Sequence, residues 1–344
     1  MEGWNSQAEL AHTFGMIVPT YFSASIDAGL VRRLLLLTLQ DTLLYLPWQQ
    51  VWVVVDGDLR SADILRGLRS ELGPFNLLVD PANHGKLWAV RQGMQAALSS
   101  TADLSFIVTR DCDGDHAAAD MPALVRAAIY IQQACGHLRL VVLGSRRNRQ
   151  RSLGWVRGEL ELLLDQITLD AVQFRLAHQD RTLNQSMCSG DGVADLNSGY
   201  KLYGRDLAQR LFIDQEPNLA AITDNDYWHY GPETCPMVEA LLAGALLAEV
   251  PRVTWDGQPA TSFGEFDPTR LYGSMLTWLL TRLDIPLEVG IQWFDNHIVG
   301  SSLRLTVEGL QLLGRLRAYV SQQVSAYRGR AEALPPPSLR LPFC

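Results

Sequence analysis

The chain has 344 residues, 47% of them hydrophobic and 19% charged, which suits one large or two smaller globular domains with a sizeable core. A net charge of −8 without any long Lys/Arg run argues against a nucleic-acid binder that works by neutralising phosphates. The five cysteines are scattered with no CxxC pair, so reduced thiols are expected rather than a disulfide framework or a zinc site.

FGMIVPTY (14–21) reads as the first strand. Asp27 is placed to cap the helix AGLVRRLLLLTLQDTLLYL, which Pro47 stops. VWVVVDGD (51–58) is a β-branched run of the kind buried on both faces of a sheet. Ser61 is a candidate cap for the helix ADILRGLRSEL, which Gly73-Pro74 ends. The strand FNLLVD (75–80) follows, then a helix over 85–98, the strand LSFIVT (104–109), a helix over 120–134 and the strand LRLVVLGS (138–145). Strands alternating with helices imply right-handed crossovers and a mostly parallel sheet, with ligands outside the carboxyl ends of the strands. Pro19-Thr20, Asp56, Asn83 and the Asp111–Asp113 segment all fall at those ends.

Beyond residue 145 the rhythm changes. RRNRQR (146–151) suits a local phosphate site or a solvated loop. A long helix is expected over 154–177, and DLNSGYKLYGRDLAQRLF (195–212) reads as turn, short strand and helix. TDNDYWHYGPET (223–234) reads as a polar, aromatic loop before a helix CPMVEALLAGALLA. Residues 260–328 look helical with breaks at Pro286 and near Gly290, and ALPPPSLRLPFC looks extended. The longest apolar runs are far below the ~20 residues that cross a bilayer. MEGWNSQAELAH has no signal-peptide character, so a soluble cytoplasmic protein is expected, with a membrane-borne substrate left open.

FIVTRDCDGDH (106–116) holds the densest chemistry: a buried strand empties into Asp111, Asp113 and Asp115. Crowded carboxylates raise one another's pKa unless a cation or donors sit among them, which points to a hard divalent ion. A solvated Asp/Gly turn is the ordinary alternative. An EF-hand loop would need Gly at its sixth position and Glu at its twelfth, and neither is present. Lys86 and Arg91 lie near the start of a helix whose N–H groups favour anions, although a solvent face accounts for them equally. Neither GxGxxG after the first strand nor GxxxxGK[ST] occurs.

The order IVPTY, VVVDGD, NHGKLWAVRQGMQAA, VTRDCDGDH, D-x-NSGYKLYGRD and AGALLAEVP resembles family 2-like glycosyltransferases of the GT-A fold, with the last segment similar to polyprenyl-phosphate sugar transferases. The resemblance spans roughly residues 14–255. It implies an α/β fold in which 1–145 bind the nucleotide sugar, 146–259 complete the acceptor side and 260–344 form a helical extension. It further implies that Pro19, Thr20 and Tyr21 line the nucleoside pocket with Asp56 on the base. Asn83 at its strand end, and Lys86 and Arg91 at their helix start, are candidate donor contacts. Asp111 and Asp113 would hold Mg²⁺ or Mn²⁺ against the diphosphate, and Asn197, Ser198 and Gly199 would face donor sugar and acceptor. Departures are the missing Arg/Gln-rich motif of processive synthases and the missing transmembrane helices.

An inverting transfer needs a carboxylate to take the acceptor proton. Asp226 is the favoured candidate, with Asp224 and Glu233 beside it; a retaining enzyme would use these residues on the acceptor instead. His229 is a candidate third metal ligand, although a structural role fits a lone His as well. Trp228, Tyr230 and Trp255 are compatible with stacking on a sugar or with ordinary packing. The expected partners are a nucleotide-sugar donor and a small-molecule or lipid-linked acceptor, with homo-oligomerisation left open. The alternatives are a haloacid-dehalogenase-like phosphatase with Asp111 as nucleophile and an inactive GT-A-like binding module. A sugar-phosphate nucleotidylyltransferase would want a Gly-rich first loop that IVPTY lacks.

Overall fold

The computed structural model describes residues 10–185, 187–188, 192–254, 260 and 266–329. Its first half alternates as expected: β1 (Phe14–Thr20), α1 (Ala28–Gln40), β2 (Val51–Asp56), α2 (Leu59–Leu72), β3 (Asn76–Asp80), α3 (Lys86–Leu98), β4 (Phe106–Thr109), α4 (Met121–Cys135) and β5 (Leu140–Ser145). The second half adds α5 (Arg149–Leu153), α6 (Trp155–Ala177), β6 (Lys201–Gly204), α7 (Arg205–Gln209), α8 (Asp224–Tyr230), α9 (Thr234–Leu242) and β7 (Leu246–Pro251). Three helices close the described chain: α10 (Pro268–Arg282), α11 (Leu287–Ile298) and α12 (Val307–Arg328).

The strands form one sheet in the order β3-β2-β1-β4-β6-β5-β7. β6 is antiparallel to β4 and β5, while the other pairings are parallel. This is the helix-flanked, mostly parallel α/β sheet that the sequence implied. Successive strand residues face opposite sides. Ile17, Trp52, Val54, Ile107, Val141 and Leu143 pack under α3, α6 and α10–α12. Met16, Val18, Val53, Val55, Val108 and Val142 pack under α1, α2 and α4. Helices α10–α12 therefore belong to the same core as α3 and α6.

Antiparallel entry of β6 has a consequence for the site. Lys201 pairs with Thr109, so the residues preceding β6 lie at the carboxyl edge of β4. The Thr109 hydroxyl donates to the Gly199 carbonyl at 3.2 Å and fastens that turn beside Asp111.

Several local expectations are corrected. α1 stops at Gln40 and continues only as a 3-10 turn, Asp41–Leu44. α2 starts earlier than expected: Asp58, not Ser61, caps it by accepting the Ser61 N–H at 3.1 Å. The expected loop at 223–234 contains α8, capped by the Thr223 hydroxyl on the Asp226 N–H and anchored by buried Tyr227. One helix of seven residues is too short to show a period in sequence. The apolar run after Cys235 is two elements, because Gly244 at φ +78° ends α9 and Leu246–Pro251 pair with Leu140–Ser145 as β7. Gly290 does not break α11; it lets that helix approach Leu280, whose Cδ2 is 2.6 Å from where a Cβ would sit. The tail and Trp255 lie outside the described residues. Cys112, Cys135, Cys188 and Cys235 are free thiols, as expected, and no helix among the described residues is long and apolar enough to cross a membrane.

Candidate active site

The carboxyl ends of β1, β2 and β4 open into a cavity of 280 Å³. Pro19, Thr20 and Tyr21 line it from the end of β1, Asp56 from β2, Asn83 and Lys86 from the segment after β3, and Asp111 and Asp113 from the segment after β4. Asn197 and Glu233 face them, and Tyr272 and Met275 of α10 complete the wall. Helix α10 is thus part of the site as well as of the core.

Asp58 shapes the β1 exit by accepting the Phe22 N–H at 3.2 Å together with the α2 cap. Asp56 shapes the next loop: its carboxylate accepts N–H groups from His84 at 2.9 Å and Gly85 at 2.7 Å. Burial lifts Asp56 above the usual carboxylate range, and those two N–H groups pull the other way. Gly85, at φ +112°, lets this loop lie against α8; a Cβ there would sit 2.5 Å from the Trp228 carbonyl oxygen.

The three carboxylates after β4 separate. Gly114 at φ +77° turns the chain. Asp111 and Asp113 line the cavity, whereas Asp115 turns inward onto the buried guanidinium of Arg252 at 3.2 Å. His116 is also buried, stacked on Tyr200 with ring centroids 4.7 Å apart, and its Nδ1 accepts the Asp111 N–H at 3.1 Å. Burial holds that imidazole well below its ordinary pKa, so it stays a neutral acceptor.

Lys86 joins the two sides of the cavity: its Nζ is 2.8 Å from Asp111 Oδ1 and 2.7 Å from Glu233 Oε1. Burial would lower this ammonium, but Asp111 and Glu233 outweigh it and hold it above the ordinary lysine value. Burial would likewise raise Asp111, yet Lys86 holds it below the usual carboxylate range. Asp113 has no cation partner within salt-bridge distance among the described residues; burial, then repulsion from Asp111, pushes it up to about 7.

These donors fit a hard divalent cation in part. No group of three His, Cys, Asp or Glu side chains comes together among the described residues as a metal-binding set. The expected third ligand, His229, has its ring engaged with the Asn225 carbonyl at 2.9 Å and Asn83 Oδ1 at 3.2 Å. Asp111 and Asp113 are the two carboxylates that would hold such an ion, and its remaining ligands would have to come from outside these side chains.

Other expected contacts are redistributed. Asp226 is buried on Arg270 at 2.9 Å and does not line the cavity. Asp224 lies on a neighbouring surface cavity and accepts the Trp228 indole N–H at 3.0 Å. Of the three candidate bases, Glu233 is the one at the cavity. Arg91 points elsewhere too, donating to the Phe212 carbonyl at 3.1 Å and lying over Trp228. Asn197 lines the cavity, but Ser198 is buried and donates to the Gly144 carbonyl at 2.6 Å. Gly199 makes room for Asp111, whose Oδ2 would be 2.5 Å from a Cβ at that position.

Within RRNRQR, Arg146 and Arg149 turn inward while Arg147 stays exposed. Arg146 is buried between Asp195 at 2.6 Å and Glu161 at 2.8 Å, and Arg149 pairs with Asp165 at 2.6 Å. Lys201 escapes sequence reasoning: it is buried, its Nζ donates to the Ser198 carbonyl at 2.5 Å, and burial draws its pKa down to about 8. Nothing in KLYG separates such a lysine from an exposed one. Tyr272 escapes it too, because its helix carries no motif.

No protein-family model matches this sequence, and no curated protein matches it. Among solved structures the chain is similar to S. aureus TarS 1-349 in complex with UDP-GlcNAc, at 14% identity and TM-score 0.43, covering 93% of each chain. It is similar to the UDP complex of the same protein at 12% identity and TM-score 0.37, again over 93% of each chain. A cytidylyltransferase from Leptospira borgpetersenii serovar Hardjo-bovis (strain JB197) matches 76% of this chain and 85% of its own at 12% identity and TM-score 0.35. Likenesses this distant carry no argument about what the chain binds or does.

Proposed function

We propose that this protein transfers a sugar from a nucleotide-diphosphate donor to an acceptor. The supporting observation is the pair Asp111 and Asp113 at the carboxyl edge of a mostly parallel sheet, in one cavity with Glu233, which Lys86 joins to Asp111. Ligands of such sheets bind at that edge. The wall of Pro19, Thr20, Tyr21 and Asp56 is assigned to the nucleoside, and the side bearing Asp111 and Asp113 to the diphosphate. Mg²⁺ or Mn²⁺ held by those two carboxylates would neutralise charge on the departing diphosphate.

Glu233 replaces Asp226 as the proposed base. It takes the acceptor proton in an inverting transfer, and Lys86 fixes its orientation from the donor side. His116 holds the Asp111 main chain, and Gly199 leaves the space that Asp111 occupies. Asn197 is assigned to the donor sugar, and Tyr272 and Met275, which line the same cavity, to the wall around it.

Thermal unfolding with UDP, GDP, CDP and their sugar conjugates, with and without Mn²⁺, tests this proposal. Binding to the native state stabilises it by RT ln(1 + [L]/Kd). A metal-dependent rise with one nucleotide that disappears in Asp113→Ala is the expected result. The absence of any rise overturns it and leaves phosphate release through Asp111, or a binding role, as the next activities to assay.

A further inference from the structure

A second cavity, of 410 Å³, lies between α3 and α8 on the outer side of the active-site wall. On α3, Trp88, Arg91, Gln92 and Gln95 follow helical spacing and present one face to it, opposite the face that buries Leu87, Val90 and Met94. Asn225 and Trp228 enter from α8. Trp228 is held firmly, with its indole N–H on Asp224 and the Arg91 guanidinium 5.8 Å from its ring centre. By contrast, the side-chain amides of Gln92, Gln95 and Asn225 have no hydrogen-bond partner within the protein among the described residues.

We propose that this cavity is a carbohydrate subsite, which takes a neutral sugar unit of the acceptor. Trp88 carries His84 with ring centroids 4.5 Å apart and Trp228 carries Arg91, and the indole surface these neighbours leave uncovered offers an apolar patch for the C–H face of a pyranose. Three amides, each both donor and acceptor, match neighbouring hydroxyls, which are donors and acceptors too. A phosphate-bearing or acidic ligand fits poorly, because the basic side chains that line this cavity are already engaged, Arg91 with Phe212 and Trp228, His84 3.5 Å from Asp80 and His229 with Asn225 and Asn83, and Asp224 adds negative charge. The subsite adjoins the proposed centre: Asn83 and His229 line both cavities, and their 3.2 Å contact forms part of the partition. Assignment of the sugar to the acceptor rests on the transferase proposal, whereas the carbohydrate specificity stands on this cavity alone.

The test is saturation-transfer NMR and calorimetry on the full chain with neutral methyl glycosides and trisaccharides of glucose, galactose, mannose and N-acetylglucosamine. The same titrations are run on Gln92→Ala/Gln95→Ala and on Trp88→Ala. The double variant replaces partly exposed side chains and keeps the test valid if Trp88→Ala, which touches the core, fails to fold. At least one saccharide is expected to bind the wild type, with affinity reduced tenfold or more in the double variant. No binding by any of these saccharides, or binding unchanged in the double variant, overturns the proposal. Nucleotide-induced stabilisation of the wild type, measured separately, reports the donor cavity. Saccharide binding lost in the variant without any nucleotide effect would sustain the subsite and sink the transferase.

Discussion

Arg146→Met should destabilise the protein through a countable charge imbalance. Arg146, Arg149 and Arg157 face Glu161, Asp165 and Asp195 in one largely buried cluster, where burial and the neighbouring carboxylates push Asp165 up to about 7, so above that pH three cations meet three carboxylates. Arg146 holds Asp195 with its main-chain N–H at 2.9 Å and its side chain at 2.8 and 2.6 Å, and it reaches Glu161 at 2.8 Å. Removing it leaves one uncompensated negative charge where Asp195 and Glu161 have almost no contact with water. Breaking a buried pair from one side costs about 3–5 kcal/mol. Arg149 remains 3.5 Å from Asp195, and Arg157 remains 2.8 Å from Glu161, so the low end applies. Equilibrium urea unfolding followed by tryptophan fluorescence should therefore show a loss of about 3 kcal/mol. Asp195→Asn in the same chain should restore charge balance, with a coupling of at least about 1 kcal/mol between the two changes. At about pH 8, above the Asp165 titration, a loss below about 1 kcal/mol in Arg146→Met would refute this account, because a buried carboxylate left unpaired and ionised cannot be so cheap.

The thermal stability of Asp113→Asn relative to the wild type should depend on pH. Burial and Asp111 raise Asp113 to about 7 in the folded protein, against an ordinary 3.8, so the folded state holds the extra proton between those values. Its contribution to stability is therefore lost as pH rises from about 4 to about 7, and the variant's melting temperature should gain on the wild type across that window; a constant difference refutes it. Glu233→Gln should lower turnover about 10²–10⁴-fold with nucleotide binding kept. Asp226→Asn, which loses a half-exposed Arg270 partner, should cost about 0–1 kcal/mol of stability and far less turnover; equal losses in steady-state assays would exclude Glu233 as the distinct base. Gly199→Ala should cost about 1–3 kcal/mol because its Cβ meets the Asp111 carboxylate. It should also abolish the metal-dependent nucleotide shift, and an unchanged shift would show that Asp111 has room to move.

The alternating first half was legible because each strand there is a short apolar run bounded by turn residues, and each helix has its own stop. The placement of Thr20, Asp56, Asn83 and Asp111 at one edge follows from that alternation, since parallel strands must all end on the same side. What happens after each strand end was not legible. Asp111 and Asp115 carry identical local signals, yet one faces the cavity and the other Arg252, a residue far along the chain. Asp226 and Glu233 likewise differ only in what α10 and Lys86 bring to them. The Arg146 cluster reads as a basic surface run until α6 and the segment before β6 supply its carboxylates. By itself the sequence determined the fold class and the edge where chemistry gathers, because periodicity and turn chemistry are local. Only the tertiary structure decided which carboxylates face the cavity, because burial and ion pairing are set by residues distant in the chain.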